Sequence, residues 1–90
     1  MYRSKSLGQS YNRLARRVES LTLRVTRLLN QTNNPGLRSI KSDCDTLHDQ
    51  LCGIIRELPP DGEVSREDRA MLAFNRREFA EIEREFQAFT

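Results

Sequence analysis

Apolar residues recur along this chain in alternating steps of three and four, in three separate runs, and that pattern limits the fold more than any other feature. The first run is Leu7, Tyr11, Leu14, Val18, Leu21, Val25, Leu28 and Thr32. The second is Leu37, Ile40, Cys44, Leu47, Leu51, Ile54 and Leu58. The third is Leu72, Asn75, Phe79, Ile82, Phe86 and Phe89, with Asn75 in a place that wants an apolar side chain. Steps of three and four put these residues on one face of a helix, and keeping them up over several heptads argues coiled-coil-like packing.

Two breaker segments separate the runs. In the first, Thr32-Asn33-Asn34-Pro35-Gly36, Asn34 suits an N-cap and Pro35 the first helical turn, where a missing N–H costs nothing. In the second, Pro59-Pro60-Asp61-Gly62 stops a helix, and Ser65 with Asp68 then reads as a capping-box variant. Ser6 or Ser10 is the expected cap of the first helix, with Gly8 weakening its first turn. Short connections between helices of similar length force antiparallel neighbours. The chain is therefore expected to be all-α: an antiparallel up-down-up three-helix bundle with left-handed coiled-coil-like packing. Its helices should cover about 8–33, 35–58 and 65–89 of a single domain spanning residues 1–90. The expected core is Leu14, Val18, Leu21, Val25 and Leu28, the whole second run, and Leu72, Phe79, Ile82 and Phe86.

At 90 residues the chain is one domain, and it buries only about 60–65% of its unfolded surface. No run of about 18 apolar residues is present, and Met1-Tyr2-Arg3 fits neither a secretory leader nor a myristoylation site. Cys44 and Cys52 lie eight positions apart on one expected helix, with Cα atoms roughly 12 Å apart. A disulfide needs about 7 Å or less, so no internal bridge is expected, which agrees with a reducing compartment. Charge is uneven: Arg3, Lys5, Arg13, Arg16, Arg17, Arg24 and Arg27 face Glu19 alone in residues 1–33, while the other two thirds are acidic. Pairing of a basic helix with two acidic ones accounts for this more simply than a lipid or nucleic-acid surface. Nucleic acid is further disfavoured because the arginines fall on more than one face and no recognition motif is present.

No constellation reads as catalytic. Cys44, His48 and Cys52 share a helix side at four-residue steps, but the outer two are too far apart to hold one ion. A Cys44–His48 pair lacks an evident oxyanion site and pocket. The expectation is a non-enzyme with no metal, cofactor or small-molecule substrate.

The stretch Leu14-Ala15-Arg16-Arg17-Val18-Glu19-Ser20-Leu21-Thr22 through Leu28-Leu29-Asn30-Gln31 resembles the first helix of the N-terminal Habc domain of endosomal-type (Qa) syntaxins. Pro35-Gly36-Leu37-Arg38 resembles the turn that follows it in that family, and Phe79 through Phe86-Gln87 resembles the close of the third helix. The resemblance runs from about Ser10 to Phe89. It implies a regulatory domain of a SNARE in vesicle fusion, on the cytosolic face of endosomal, vacuolar or lysosomal membranes. Its implied partners are an amphipathic SNARE helix, its own or a cognate one, and an SM-type regulator or vesicle adaptor. Tyr2 and Arg3, in the leader, would dock the SM-type protein. Membrane attachment would come through a C-terminal anchor, which these residues do not contain. The alternative is a free-standing helical adaptor or secretion-type chaperone that holds a partner helix.

Two further residues are candidates for partner contact. Phe74 lies about 100° from the centre of the third run, and Leu23 almost opposite the first. Phe74 is expected to line a groove between helices. Asn75 is expected to be buried and to fix register, so that Asn75→Leu should stabilise the fold while loosening its specificity.

Overall fold

A turn of two residues sets the architecture. In the computed structural model, which describes residues 4–58 and 64–90, α1 runs Ser4–Thr32 and α2 runs Pro35–Glu57. Asn33 between them takes φ 50°, the left-handed conformation that ends helices, and its N–H bonds the Leu29 carbonyl. Asn34 then caps α2: its side-chain oxygen accepts the Gly36 N–H at 2.7 Å, with Pro35 in the first turn. The Arg38 guanidinium donates back to the Asn33 side chain, tying the turn to the helix it starts.

α3 runs Arg66–Gln87 and opens on a complete capping box. The Asp68 N–H bonds Ser65 Oγ at 3.1 Å, and the Ser65 N–H bonds the Asp68 carboxylate at 3.0 Å. Residues 59–63, which hold the expected Pro-Pro-Asp-Gly stop, lie outside the described residues.

Interhelical pairs fix the topology. Glu19 meets His48, and Ala15 shares a cavity with Cys52, so α1 and α2 are antiparallel. Arg17 meets Phe79 and Arg24 meets Phe86, so α1 and α3 run in the same direction. α2 is antiparallel to α1 and α3 parallel to it, so α2 and α3, which share a groove, are antiparallel. The result is an all-α, up-down-up three-helix bundle measuring 47 × 18 × 15 Å.

The buried positions fall at 7, 11, 14, 18, 21 and 25 on α1, at 37, 40, 44, 47 and 51 on α2, and at 72, 75, 79, 82 and 86 on α3. That spacing averages 3.5 residues against the helix's 3.6, a drift that left-handed winding absorbs. Burial also reaches Ala15 and Val64, which stand off the apolar runs.

Three expectations need correction. Ser6 and Ser10 do not cap α1 but lie within it. Leu7 and Tyr11, 5% and 1% exposed, pack into the core and carry the helix through Gly8. Leu28, Ile54 and Leu58 pack against the core only partly buried. The register that sets Arg24 on Phe86 leaves Leu28 level with the end of the chain, beyond α3, and Leu58 faces Gly8, which offers no side chain. The expected stabilisation by Asn75→Leu gives way to the opposite expectation. Asn75 is 2% exposed, as foreseen, but its Nδ2 donates to the Met71 carbonyl at 3.0 Å and its side chain hydrogen-bonds the buried Tyr11 hydroxyl on α1. Leucine there would leave that hydroxyl without its partner.

Candidate functional site

The α2–α3 seam opens into a groove. Leu47 and Ile82 form its floor, and Asp43, Thr46, Gln50, Glu78, Glu81 and Glu85 stand along its walls. The heptad pattern explains the arrangement. Glu78, Glu81 and Glu85 follow one another at steps of three and four along α3, beside the buried stripe. Asp43 and Gln50 do the same at a seven-residue step on α2. Four carboxylates therefore converge on one cleft, and among the described residues no lysine or arginine lines it. Glu78 Oε1 is buried in this structure with no hydrogen-bond partner among the described residues. A buried carboxylate oxygen left unpaired is costly, and a donor entering the groove would relieve it.

Phe74 lies one turn before Glu78 on α3, 51% exposed. It does not line the cleft itself but extends its α3 wall toward the α2–α3 connection, with Met71, 50% exposed, one turn earlier. With α2 and α3 antiparallel, the partly buried Ile54, one turn after Gln50, lies toward the same end of the seam as Phe74. The groove thus passes from an acidic stretch into an apolar one.

Leu23 stands 61% exposed on the far side of the molecule, in a shallow depression between α1 and α2 with Glu19, Thr22, Asp45, His48 and Asp49. The structure does not bring Phe74 and Leu23 together, since they occupy different seams. Tyr2 and Arg3 lie outside the described residues.

Charge pairing across the bundle is sparse. Among the described residues, Arg17 pairs with Glu83 across helices at 3.6 Å, and His48 Nε2 lies within hydrogen-bond distance of Glu19 Oε1 at 2.9 Å. Instead, Arg17 and Arg24 lay their guanidinium groups over the Phe79 and Phe86 rings, 5.0 and 5.3 Å from the centroids. Both the arginines and the phenylalanines are seven residues apart, so parallel helices repeat the same cation–π contact one heptad on. Composition alone did not expose this use of the basic helix; the matched spacing in two parallel helices carries the signal. Sequence reasoning also missed the His48–Glu19 pair, because its members are 29 residues apart.

Burial pushes the Cys44 thiol and the Tyr11 hydroxyl above their ordinary pKa values. Hydrogen bonds from Thr22 and Asn75 respectively pull the other way. No group of three His, Cys, Asp or Glu among the described residues is placed to hold a metal. No helix of the described residues is long and apolar enough to cross a membrane. Set against protein-family models, curated proteins and solved structures, the chain finds no match.

Proposed function

We propose that this bundle is a non-enzymatic helix-binding module, and that the α2–α3 groove is where it holds a partner helix. The observation that carries the reading is the groove itself, with a floor of Leu47 and Ile82 and walls bearing Asp43, Glu78, Glu81 and Glu85; Phe74 and Met71 stand exposed on α3 beyond its end. An amphipathic helix fits such a cleft by laying its apolar stripe along the floor. The carboxylates and the unpaired Glu78 oxygen favour one whose flanking positions carry lysine or arginine.

The resemblance of residues 10–89 to syntaxin Habc domains gives this activity a setting. In that reading the chain is the N-terminal regulatory domain of a SNARE in endosomal membrane fusion. The partner is then a SNARE-motif helix, its own or a cognate one, or a segment of an SM-type regulator or vesicle adaptor. Regulation follows from exclusion, because a heptad face held in the groove cannot also pack into a fusion complex.

The test is binding of fluorescent amphipathic peptides, measured by anisotropy, to the full chain and to Phe74→Ala. Phe74 is half exposed, so its truncation should cost no more than about 1 kcal/mol of stability. As an aromatic anchor, its loss should weaken binding about tenfold or more. A SNARE-motif peptide should bind better than unrelated helices of equal charge and hydrophobicity. Equal binding of all of them would keep the groove and favour an adaptor or chaperone. No binding of any amphipathic helix, or an affinity indifferent to Phe74, would overturn the groove.

A further inference from the structure

The seam between α1 and α2 carries a different chemistry. Cys52, partly buried on α2, has its Sγ 3.7 Å from His48 Nδ1 and 3.9 Å from Nε2. His48 Nε2 lies 2.9 Å from Glu19 Oε1 on α1. The bond to a carboxylate places the ring proton on Nε2 and leaves the Nδ1 lone pair free on the side of the thiol. The sulfur lies at similar distances from the two ring nitrogens, slightly nearer Nδ1. Thiol, base and orienting carboxylate thus stand in sequence, drawn from two helices.

Cys52 and Glu19 themselves border a depression of about 350 Å³, which Ile55 and Arg56 from α2 and Asn12, Ala15 and Arg16 from α1 complete. Two arginines and one glutamate therefore border the space beside the sulfur, and the glutamate is the one held by His48. Both arginines are exposed, and neither makes an ion pair among the described residues. The other cysteine supplies the contrast. Cys44, two turns earlier on α2, is 0% exposed and closed to reagents.

We propose that Cys52 is a thiol–disulfide exchange site for small disulfides bearing carboxylates. In this assignment Arg16 and Arg56 hold the reagent's carboxylates, His48 takes the thiol proton, and Glu19 holds the imidazole in place. The step balances as one exchange. The S–H proton of Cys52 passes to His48 Nδ1, and the sulfur attacks one sulfur of the reagent. A new S–S bond forms as the reagent's own S–S bond breaks. The departing thiolate leaves with the bonding pair and takes the proton from His48. Cys52 is oxidised to a mixed disulfide, and half of the reagent is reduced to a free thiol. The adduct stands on the α1–α2 face, away from the α2–α3 groove.

Oxidised glutathione serves as the anionic probe and 2-hydroxyethyl disulfide as the neutral one, each reacted with the full chain and followed by mass spectrometry with peptide mapping. The expected result is a single adduct, on Cys52, formed faster in the folded chain than in the same chain unfolded in urea. The double variant Arg16→Gln/Arg56→Gln should react about tenfold more slowly with oxidised glutathione, as the loss of local charge attraction predicts, and at an unchanged rate with the neutral disulfide. His48→Gln should slow both reagents by about a hundredfold, the low end for a positioned proton-accepting group. Circular dichroism checks that each variant keeps its helices. Labelling of Cys44 in place of Cys52, reaction no faster than in urea, an arginine variant that leaves the glutathione rate unchanged or slows both reagents alike, or a His48 variant without effect would each overturn the assignment.

Discussion

Tyr11 and Asn75 show what single side chains contribute to a core that is otherwise apolar. Their positions, in the first and third apolar runs, were legible from spacing alone. Their partnership was not, because it depends on α1 and α3 running in parallel with these two turns level. Tyr11 is 1% exposed and Asn75 2%, and the amide meets the hydroxyl across the seam. A buried polar group that loses its partner costs about 1–3 kcal/mol. Asn75→Leu should therefore destabilise the bundle by about that amount, read from its denaturation midpoint. Adding Tyr11→Phe to Asn75→Leu should recover most of the loss, since a phenyl ring needs no partner. The two changes should then show a coupling of at least about 0.5 kcal/mol in a double-mutant cycle. A more stable Asn75→Leu single variant would show that the hydroxyl does not depend on the amide. The same reasoning limits what spacing revealed of the candidate site. Phe74 could be marked as an aromatic off the seam, but nothing in the spacing set apart Glu78, whose buried oxygen has no hydrogen-bond partner among the described residues.

At the scale of the elements, the sequence was most legible where local chemistry decides. Asn34 with Pro35, and Ser65 with Asp68, mark two helix starts by rules that involve only a few neighbouring residues, and both form as read. The start of α1 was misread because tertiary packing overrides local preference there: Leu7 and Tyr11 hold the helix through a glycine that would otherwise weaken it. Two substitutions separate these influences. Asn34→Ala removes the acceptor for the Gly36 N–H and should cost about 1 kcal/mol, measured by chemical denaturation. Gly53 lies inside α2, and a Cβ added there meets nothing within 4 Å. Gly53→Ala should therefore stabilise the chain by about 0.8–1 kcal/mol, the difference in helix propensity. If Gly53→Ala proved neutral or harmful, α2 would have to be bent or loosened at that point. Phe89 illustrates the opposite case. It continues the third apolar run on paper, yet α3 ends at Gln87, and the ring, 38% exposed, lies close over Gly36 at the start of α2.

For the whole molecule, the heptad runs define a bundle whose core is closed and whose seams differ. The α1–α3 seam is covered by arginines over phenylalanines, the α1–α2 seam holds His48, Glu19 and Cys52, and the α2–α3 seam is lined with carboxylates. Tyr11 and Cys44 are buried in the shared core, and this gives the fold a definite response to alkali. Both groups are neutral when protonated, with ordinary pKa values of 10.0 for Tyr11 and 9.0 for Cys44, and burial raises both in the folded state. The folded chain therefore keeps these two protons at pH values where the unfolded chain has begun to lose them. Stability from this source is complete below the unfolded values and falls as pH rises through 9 and 10 toward the raised folded ones. Denaturation midpoints should accordingly be level from about pH 7 to 8 and decline above that. Cys44→Ala should lower stability at every pH, since it leaves space in the seam, but should flatten the first part of the decline, where the thiol titrates. Tyr11→Phe should flatten the later part. A midpoint that held constant or rose up to about pH 10 would mean that the two groups are no harder to ionise in the bundle than in the unfolded chain, and that the seam admits water at Cys44 and Tyr11.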